Sequence, residues 1–312
     1  MPRLVVTGAG GFVGRHVVSA ARAEGWDVAG LVRSEEAART VTYAGGAPVR
    51  VPLLSAAALA PALAGADAVV HLAQIGSEAG GATYEAVNVA GTQAVVSAAA
   101  EAGVPRIVFF SGLGVARYGM ASRTTNRYFL SKLRAEALLF ASGLEVVVFR
   151  PSYVVGPRDG LVSSLLRQMA EGEVEKIGDG SYRMQPIAVK DAAAAVMAAA
   201  SGPAPAPGRG PHRVIDLVGP APVRYVDLVR LLAEAARAQR RPADFRFREV
   251  PVEEADRRAR AGQDRPPDEL DCLLCDETGD TRPLEALLGR FLVPVEEALA
   301  AAVRGTPPAG RA

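Results

Sequence analysis

The chain of 312 residues is 49% hydrophobic, which is sufficient for one large α/β domain and a smaller second lobe. Its 35 basic and 34 acidic residues leave a formal net charge of +1, so no overall field favours nucleic acid or an anionic membrane. Because no apolar run is long enough for a membrane span and the first strand begins at once, leaving no room for a signal peptide, we expect a soluble, cytoplasmic protein.

The first motif is a glycine-rich turn between a predicted strand and a predicted helix. The strand covers 4–6, the helix follows the turn and ends at Gly25, and a second strand is predicted at 26–33. The glycines of the turn are Gly8, Gly10 and Gly11. The helix N-terminus offers unpaired backbone N–H groups, and glycines allow a pyrophosphate to approach closely. Glycine-rich turns are also common without a ligand, but the βαβ spacing favours a dinucleotide site.

Strands and helices continue to alternate along the chain. Further strands are predicted at 49–51, 67–73, 105–111 and 144–150, and helices at 55–65, 84–102 and 126–141. The strand at 144–150 is almost entirely apolar, as is typical of a central strand in a parallel sheet. The pattern predicts a Rossmann fold, a doubly wound parallel α/β sheet, with the ligand crevice at the carboxyl ends of the strands.

The second half of the chain is punctuated by proline and glycine and predicts a smaller lobe. We predict a dinucleotide-binding domain at 1–155, with strands and helices that return to it around 184–220, and a substrate-binding lobe mainly at 156–312. The two cysteines, Cys272 and Cys275, form a single Cys-x-x-Cys pair with no histidine nearby, so we expect reduced packing residues and no metal site.

Tyr128 and Lys132 stand four residues apart near the start of the helix at 126–141, so both project from one face. This helix follows the fifth strand, so the pair opens onto the crevice, as does the polar loop at 112–126, which has few apolar residues to fix it. A lysine ammonium beside a phenol lowers the pKa of the phenol and makes it a proton donor or acceptor for a carbonyl or an alcohol. Elsewhere in a helix, the same spacing would indicate a core tyrosine and a lysine that reaches solvent.

Several motifs together resemble the extended or atypical short-chain dehydrogenase/reductase family, which includes NAD-dependent epimerases and dehydratases. They are the stretches 7–14 (TGAGGFVG), 71–73 (HLA), 88–92 (NVAGT) and 150–157 (RPSYVVGP), together with Tyr128 and Lys132. The likeness covers residues 3–200 and, more loosely, 216–219 with the helix that follows. Within the family, the chain is most similar to the atypical branch that contains the nucleotide-binding accessory subunit of respiratory complex I and related bacterial reductases.

The resemblance implies a smaller C-terminal substrate lobe, a nicotinamide cofactor, a small-molecule substrate and a homodimer formed through the helices at 84–102 and 126–141. It also assigns site residues by position. The residues implied in pyrophosphate binding are Gly8, Gly11, Phe12, Val13 and Gly14. The resemblance places Leu72 and Ala73 beside the adenosine ribose, Pro151 and Val154 against the nicotinamide, and Tyr128 with Lys132 as the catalytic pair.

Two positions depart from the family pattern at the cofactor. Family members that prefer NAD usually end the second strand with an acid for the ribose 2'-hydroxyl, but here Val32 is followed by Arg33. An arginine suits the 2'-phosphate of NADP, so we expect NADP rather than NAD, although an arginine at a strand end can also be exposed without a ligand. The Asp-Leu expected after the third strand is Pro52 and Leu53, which leaves only backbone contact near Leu53 for the adenine.

A third departure concerns catalysis. The catalytic hydroxyl of the family is the second of a Ser-Ser or Ser-Thr pair after the fifth strand, and Gly112 stands there if Ser111 aligns with the first. Ser111 is therefore a candidate to substitute for it. Ser122 and Thr124 are further candidates on the loop, although both are equally plausible as ordinary loop and capping residues.

These residues predict an NADPH-dependent oxidoreductase that reduces a carbonyl or quinone-like small molecule by hydride transfer, with Tyr128 as the proton donor. One alternative is a sugar-nucleotide epimerase or dehydratase with tightly held NAD, which needs the acid and the hydroxyl that Val32 and Gly112 replace. The other is a non-catalytic NADP(H)-binding protein that stabilises or regulates an assembly. Gly112 favours this last alternative, whereas the intact Tyr128 and Lys132 argue against it.

Overall fold

The structure is a computed structural model that describes residues 1–120, 123–202 and 212–307. Its strands are β1 (Arg3–Thr7), β2 (Asp27–Val32), β3 (Ala47–Arg50), β4 (Ala68–His71), β5 (Arg106–Phe110), β6 (Glu145–Pro151), β7 (Val154–Val155), β8 (Glu173–Ile177), β9 (Arg183–Met184), β10 (Ile187–Ala188), β11 (Arg213–Leu217), β12 (Val223–Arg224) and β13 (Arg246–Val250). Its α-helices are α1 (Phe12–Ala23), α2 (Glu35–Tyr43), α3 (Ala56–Leu63), α4 (Gly91–Glu101), α5 (Arg127–Phe140), α6 (Gly160–Ala170), α7 (Val189–Ala200), α8 (Tyr225–Ala238), α9 (Val252–Arg260), α10 (Pro267–Leu274), α11 (Arg282–Leu288) and α12 (Val295–Gly305). None of the helices within the described ranges is long and apolar enough to cross a membrane.

Within the described residues, seven strands form one parallel sheet in the order β3-β2-β1-β4-β5-β6-β11. The predicted Rossmann fold is confirmed, and all six strands expected from the sequence belong to this sheet. The seventh strand, β11, comes from the C-terminal half and pairs with β6, inside the range where a return to the sheet was predicted. The strand order reverses between β1 and β4, which opens a crevice at their carboxyl ends.

Helices cover both faces of the sheet, and this is why its central strands are apolar throughout. Helices α1 and α7 pack together on one face, while α3, α4 and α5 pack side by side on the other. Successive side chains of β1, β4 and β6 lie on opposite faces of the sheet and are completely buried. Those on the first face are Leu4, Val70 and Val147, and those on the second are Val5, Val69 and Val148. Each such burial stabilises the fold by about 1.5 to 3 kcal/mol.

The helix predicted at 84–102 does not begin as a regular α-helix. Glu85–Ala90 form a π-helical turn that continues into α4. The wide turn contains Asn88, whose side chain accepts from Ile75 N at 2.9 Å and donates to Ile75 O at 3.1 Å and Ser131 Oγ at 3.0 Å. Asn88 therefore fixes the segment after β4 against α5, next to the crevice.

The loop at 112–126 is held more firmly than the sequence predicts. Leu113–Arg117 form a 3-10 helix that begins with buried residues, and a Cβ on Gly114 would lie 2.3 Å from the Phe129 ring. The Arg117 guanidinium donates to two backbone carbonyl groups of the segment 276–278, at 2.7 and 2.8 Å. The expectation of a loosely fixed loop was wrong, because these anchors come from α5 and from a segment that is distant in the sequence.

Most elements after β6 form a separate apolar cluster, centred on α6, α8 and α12. The exceptions are α7, β11 and α11, which pack on the sheet. Arg123 joins the loop at 112–126 to this cluster, since its guanidinium forms ion pairs with Asp256 at 2.9 Å and with Asp271 at 2.7 Å. The division of the chain into two domains near residue 155 stays a prediction.

Candidate active site

The glycine turn after β1 lies too close to its neighbours for side chains. Gly8 has a φ of 67°, and a Cβ there would be 2.8 Å from Ala73 N at the end of β4. A Cβ on Gly14 would be 2.3 Å from Gly8 O, so α1 starts directly against the turn. Among the described residues, a Cβ on Gly11 would approach only Gly8 O, at 3.2 Å, and Gly11 borders a cavity. A pyrophosphate fits against Gly11, because no side chain caps α1 at that end.

This cavity runs from the glycine turn along the carboxyl ends of β1 to β4. The predicted cofactor residues that line it are Gly8, Gly11, Arg33, Leu53, Leu72 and Ala73. Phe12 instead lines a second cavity, Val13 packs against the core, and Gly14 is buried beneath the turn. Phe12, Val13 and Gly14, which were predicted at the pyrophosphate, therefore do not line the first cavity. The first cavity has glycine backbone at one end and Leu53, which is 71% exposed, at the other. This arrangement fits a dinucleotide.

The end of β2 forms a basic rim on the first cavity. Val32 is buried, whereas the Arg33 side chain is exposed beside the cavity. A second guanidinium lies close by, because Arg50 Nη2 is 3.5 Å from Arg33 O. Arg50 also forms a long ion pair with Glu35 at 3.5 Å, which offsets part of its charge. Within the described residues Arg33 has no ion-pair partner, and it lies where the sequence predicts contact with a 2'-phosphate.

Lys132 is almost completely buried, at 1% exposure, and is held by Gln74. Its Nζ donates to Gln74 Oε1 at 2.6 Å and lies 4.2 Å from the centre of the Phe109 ring. Burial lowers the pKa of Lys132 to about 7, although the nearby Glu136 carboxylate opposes the change. Gln74 directly follows Ala73 and lines the first cavity, so it connects Lys132 with that cavity.

Tyr128 stands one turn before Lys132 on α5 and lines the second cavity. Asn126 fixes the start of this helix by accepting a hydrogen bond from Phe129 N at 2.8 Å. Burial raises the pKa of Tyr128 above its usual range, and Gln74 opposes this only in part. The expectation that Lys132 lowers this pKa was wrong, because the ammonium binds Gln74 and the phenol lies in a desolvated position.

Ser111 and Gly112 follow β5 beside this pair. Ser111 is completely buried, and its Oγ has no hydrogen-bond partner among the described residues. A Cβ on Gly112 would lie 3.3 Å from the Phe129 ring and 3.5 Å from the Tyr128 ring. A side chain at position 112 would therefore be in contact with both aromatic rings.

The other residues predicted at the site are two loop hydroxyls and two residues expected at the nicotinamide, and they differ in whether they line a cavity. Thr124 is buried, and its Oγ1 donates to Arg117 O at 2.6 Å, which fixes the loop. Ser122 lies outside the described residues. Of the two residues expected at the nicotinamide, Val154 lines the second cavity, and Pro151 ends β6.

The second cavity lies between α5, β7 and the C-terminal helices α6, α8 and α10. Its lining is rich in aromatic side chains, namely Phe12, Tyr128, Tyr153, Tyr182 and Tyr225. Arg265 contributes a positive charge to the lining, which also contains the acids Asp159, Glu175 and Glu269, and Cys272 lies in the same wall. Cys272 and Cys275 are free thiols, and burial raises the pKa of both, that of Cys275 to about 12. The cavity suits a largely apolar molecule with a polar group near Tyr128.

Comparison with known proteins agrees with this geometry. The family model described as "NAD dependent epimerase/dehydratase family" matches residues 4–211. The chain belongs to this family. A "4-hydroxy-2-methyl-3-oxo-4-farnesyl-3,4-dihydroquinoline-1-oxide ketoreductase" of Stigmatella aurantiaca is 30% identical over 249 residues, covering 74% of this chain and 72% of the relative. The "2-alkyl-3-oxoalkanoate reductase" of Stenotrophomonas maltophilia is 30% identical over 257 residues, covering 76% and 77%.

Solved structures extend the comparison to the full fold. MoeE5 in complex with UDP-glucose and NAD has a TM-score of 0.74 at 25% identity, covering 97% of this chain and 98% of that one. A UDP-glucose 4-epimerase of Thermotoga maritima with UDP-glucose has a TM-score of 0.76 at 21% identity, covering 97% and 98%, and shows the fold alone. As a member of the epimerase/dehydratase family, the chain is an NAD(P)-dependent enzyme of the extended short-chain dehydrogenase/reductase type that acts on small molecules.

Two residues that line these cavities, Gln74 and Arg265, were not predicted from the sequence. Gln74 directly follows the stretch 71–73, so its place at the end of β4 was a signal that it borders the crevice. Arg265 lies in the last part of the chain, where no motif distinguishes it from the other arginines. Its position in the second cavity depends on how α10 packs beside α5.

Proposed function

We propose that this chain is an NADPH-dependent reductase of small carbonyl or quinone-like compounds, in which Tyr128 donates a proton to the reacting oxygen. The observation that carries this proposal is the link between the two cavities. Tyr128 lines the second cavity, Gln74 lines the first, and Gln74 binds the Lys132 ammonium at 2.6 Å. A cofactor in the first cavity and a carbonyl in the second would therefore meet at Tyr128 and Lys132.

The first cavity supports the cofactor part of the proposal. The backbone of the glycine turn would hold the pyrophosphate, Leu72 and Ala73 the adenosine ribose, and Arg33 the 2'-phosphate that distinguishes NADP from NAD. When bound, the nicotinamide supplies the hydride for the reduction. Ser111 adds a buried hydroxyl next to the pair, and its lack of a partner among the described residues leaves it able to bind a ligand.

The protonation states favour reduction. Because burial raises the pKa of Tyr128, the phenol keeps its proton at neutral pH and can donate it as negative charge develops on the substrate oxygen. Lys132, whose pKa is lowered to about 7, is partly protonated at neutral pH, and its positive charge would stabilise the tyrosinate that remains. Gln74 holds this ammonium at the edge of the first cavity.

The second cavity and the relatives support 3-oxo compounds as the substrate class. Tyr153, Tyr182 and Tyr225 offer apolar faces to a substituent of the substrate. The two reductases described above, which each align over about three quarters of this chain, are named for 3-oxo compounds. We therefore propose ketones of this kind that carry an apolar substituent.

Two other functions each have one observation in their favour. The likeness to MoeE5 with UDP-glucose and NAD supports a sugar-nucleotide epimerase or dehydratase, but Val32 stands where such an enzyme needs an acid. Gly112, which supplies no hydroxyl at the position where the family has one, supports a non-catalytic NADP(H)-binding protein. We further propose that two copies of the chain associate through α4 and α5.

The proposal is tested by NADPH oxidation with a panel of 3-oxo esters, aromatic ketones, quinones and UDP-sugars. We expect turnover of at least one ketone or quinone, and Tyr128→Phe should lower kcat about a hundredfold while NADPH affinity is kept. Lys132→Met should lower both kcat and the affinity for NADPH, because the ammonium supports the phenol and the cofactor ribose. Tyr43→Phe is the matched control, since Tyr43 is 95% exposed on α2.

Absence of NADPH oxidation above the Tyr128→Phe background, in a protein that binds NADPH, would replace this proposal by the non-catalytic alternative. Conversion of a UDP-sugar without net NADPH consumption would replace it by the epimerase alternative.

A further inference from the structure

Gln74 lies in the wall of the first cavity, on a segment whose backbone is fixed on both sides. Before it, Ala73 N donates to Thr7 Oγ1 at 3.1 Å. After it, the Asn88 side chain binds both the N–H and the carbonyl group of Ile75, at 2.9 and 3.1 Å. These hydrogen bonds join the segment to β1 and to the π-helical turn, so Gln74 is in place before any ligand binds.

Lys132, in contrast, lies behind Gln74 as seen from the first cavity. It is 1% exposed and is not among the described residues that line the first or the second cavity. Its Nζ donates to Gln74 Oε1 at 2.6 Å, whereas Gln74 itself is exposed and borders the first cavity. A cofactor in this cavity would therefore touch the Gln74 amide and not the Lys132 ammonium.

The chemistry of the two groups fixes the orientation of the Gln74 amide. An ammonium can only donate hydrogen bonds, so the amide must turn its oxygen to Lys132. The Nε2 group, which carries two N–H donors, is then on the other branch of the amide. The Tyr128 phenol is close to the same amide, because Gln74 opposes the raised pKa of Tyr128. One contact with the phenol still leaves one N–H donor for a ligand in the first cavity.

We propose that Gln74 binds the nicotinamide ribose of NADPH, with Nε2 donating to a ribose hydroxyl while Oε1 holds the Lys132 ammonium. Lys132 is then a positioning residue, which acts on the cofactor through Gln74 and does not touch the ribose itself. No motif recognised in the sequence includes position 74. The proposal rests on the NADPH site proposed above, and it names the residue that recognises the nicotinamide half of the cofactor.

The test measures binding of two ligands to the unmutated protein and to Gln74→Leu. One is NADPH, and the other is adenosine 2',5'-bisphosphate, which lacks the nicotinamide ribose. Gln74→Leu should weaken NADPH binding about tenfold, because a hydrogen bond to the ribose is lost, and should leave the affinity for the bisphosphate unchanged. The matched control is Gln93→Leu, which replaces an exposed glutamine of α4 and should leave both affinities unchanged.

A double-mutant cycle with Lys132→Met tests the order of the contacts. Lys132→Met alone should weaken NADPH binding, because Gln74 loses the group that holds its oxygen. In the Gln74→Leu background the same substitution should have no further effect on NADPH binding, because the ammonium acts on the cofactor only through Gln74. Melting temperatures without ligand report on the fold of each variant, and bisphosphate binding reports on the adenosine half of the cavity.

Unchanged NADPH affinity in folded Gln74→Leu protein, additive effects of the two substitutions, or an equal loss of affinity for the bisphosphate would overturn the inference. None of these results depends on turnover, so the reductase function would stand. Conversely, a protein that shows the expected binding pattern but reduces no carbonyl compound would keep the Gln74 contact and lose the proposed reaction.

Discussion

The exposed Arg33 side chain at the end of β2 is the residue that we expect to separate NADP from NAD. Hydrogen bonds between a guanidinium and a phosphate are charge-assisted and contribute about 1.5 to 3 kcal/mol each. We therefore expect NADPH to bind at least about tenfold more tightly than NADH, and Arg33→Ala to lose this preference. Fluorescence titration with both cofactors measures it, with Arg167→Ala on α6 as a remote control. Equal affinities of the unmutated protein for the two cofactors would contradict this prediction.

The positions of the site residues could be predicted from the sequence, but their chemistry could not. The glycine turn and Arg33 lie where strand ends of a parallel sheet must meet, so a correct order of elements places them. The state of Tyr128 depends instead on burial and on Gln74 and Glu277, which no local pattern places beside it. Solvation is a property of the packed molecule, so the spacing of Tyr128 and Lys132 could not indicate the direction of the pKa shift.

At the scale of elements, the glycines between β1 and α1 have two different roles, one in ligand binding and one in packing. Gly11 borders the first cavity, so a larger residue at this position would have its side chain beside that cavity. A Cβ on Gly14, by contrast, would lie 2.3 Å from Gly8 O. We expect Gly11→Val to abolish dinucleotide binding with little loss of stability, because the side chain occupies the space of the pyrophosphate. Gly14→Ala should instead lower the melting temperature, because the start of α1 must shift.

The two effects are separated by the thermal shift that NADPH causes and by the melting temperature without ligand. An undiminished NADPH shift in folded Gly11→Val protein would show that the turn does not hold the ligand.

The regular elements of the first half of the chain were predictable, and the irregular ones were not. The strands of the sheet stand out because they are short apolar runs separated by helical segments of the right length. The π-helical turn Glu85–Ala90 depends on Asn88 binding Ile75, and the 3-10 helix Leu113–Arg117 depends on contacts with 276–278. Both are therefore consequences of tertiary structure, and both lie beside the site.

At the scale of the whole molecule, the loop after β5 connects the sheet with the C-terminal elements. Arg117 and Arg123 bind partners that lie more than 130 residues further along the chain. The end of this loop also contacts the wall of the second cavity, because Asn126 lies against Cys272. The last part of the chain, in which no motif was recognised, therefore forms part of the second cavity.

The dimer contact expected through α4 and α5 stays a prediction, and part of both helices is accessible to a second copy. Ala98, Ala99 and Ala135 are completely buried among these helices and the sheet, whereas Ala100 and Ala137 are exposed. The outer face of α5 also leaves Leu130 39% and Leu133 36% exposed. Leucines three residues apart form one apolar stripe on a helix, which is the surface that a second copy can cover.

We expect Leu133→Glu to convert a homodimer into a monomer, because it places a charge in the middle of this stripe. Complete burial of an exposed leucine contributes about 1.5 to 3 kcal/mol, of which covering these partly buried leucines gains a fraction, and a two-fold contact counts every residue twice. The control is Phe291→Glu, which replaces an apolar side chain that is 87% exposed on the connection between α11 and α12 and should leave the dimer intact. Light scattering at micromolar concentration measures the mass. A monomer mass for the unmutated protein, or an unchanged dimer for Leu133→Glu, would show that α5 is not the contact.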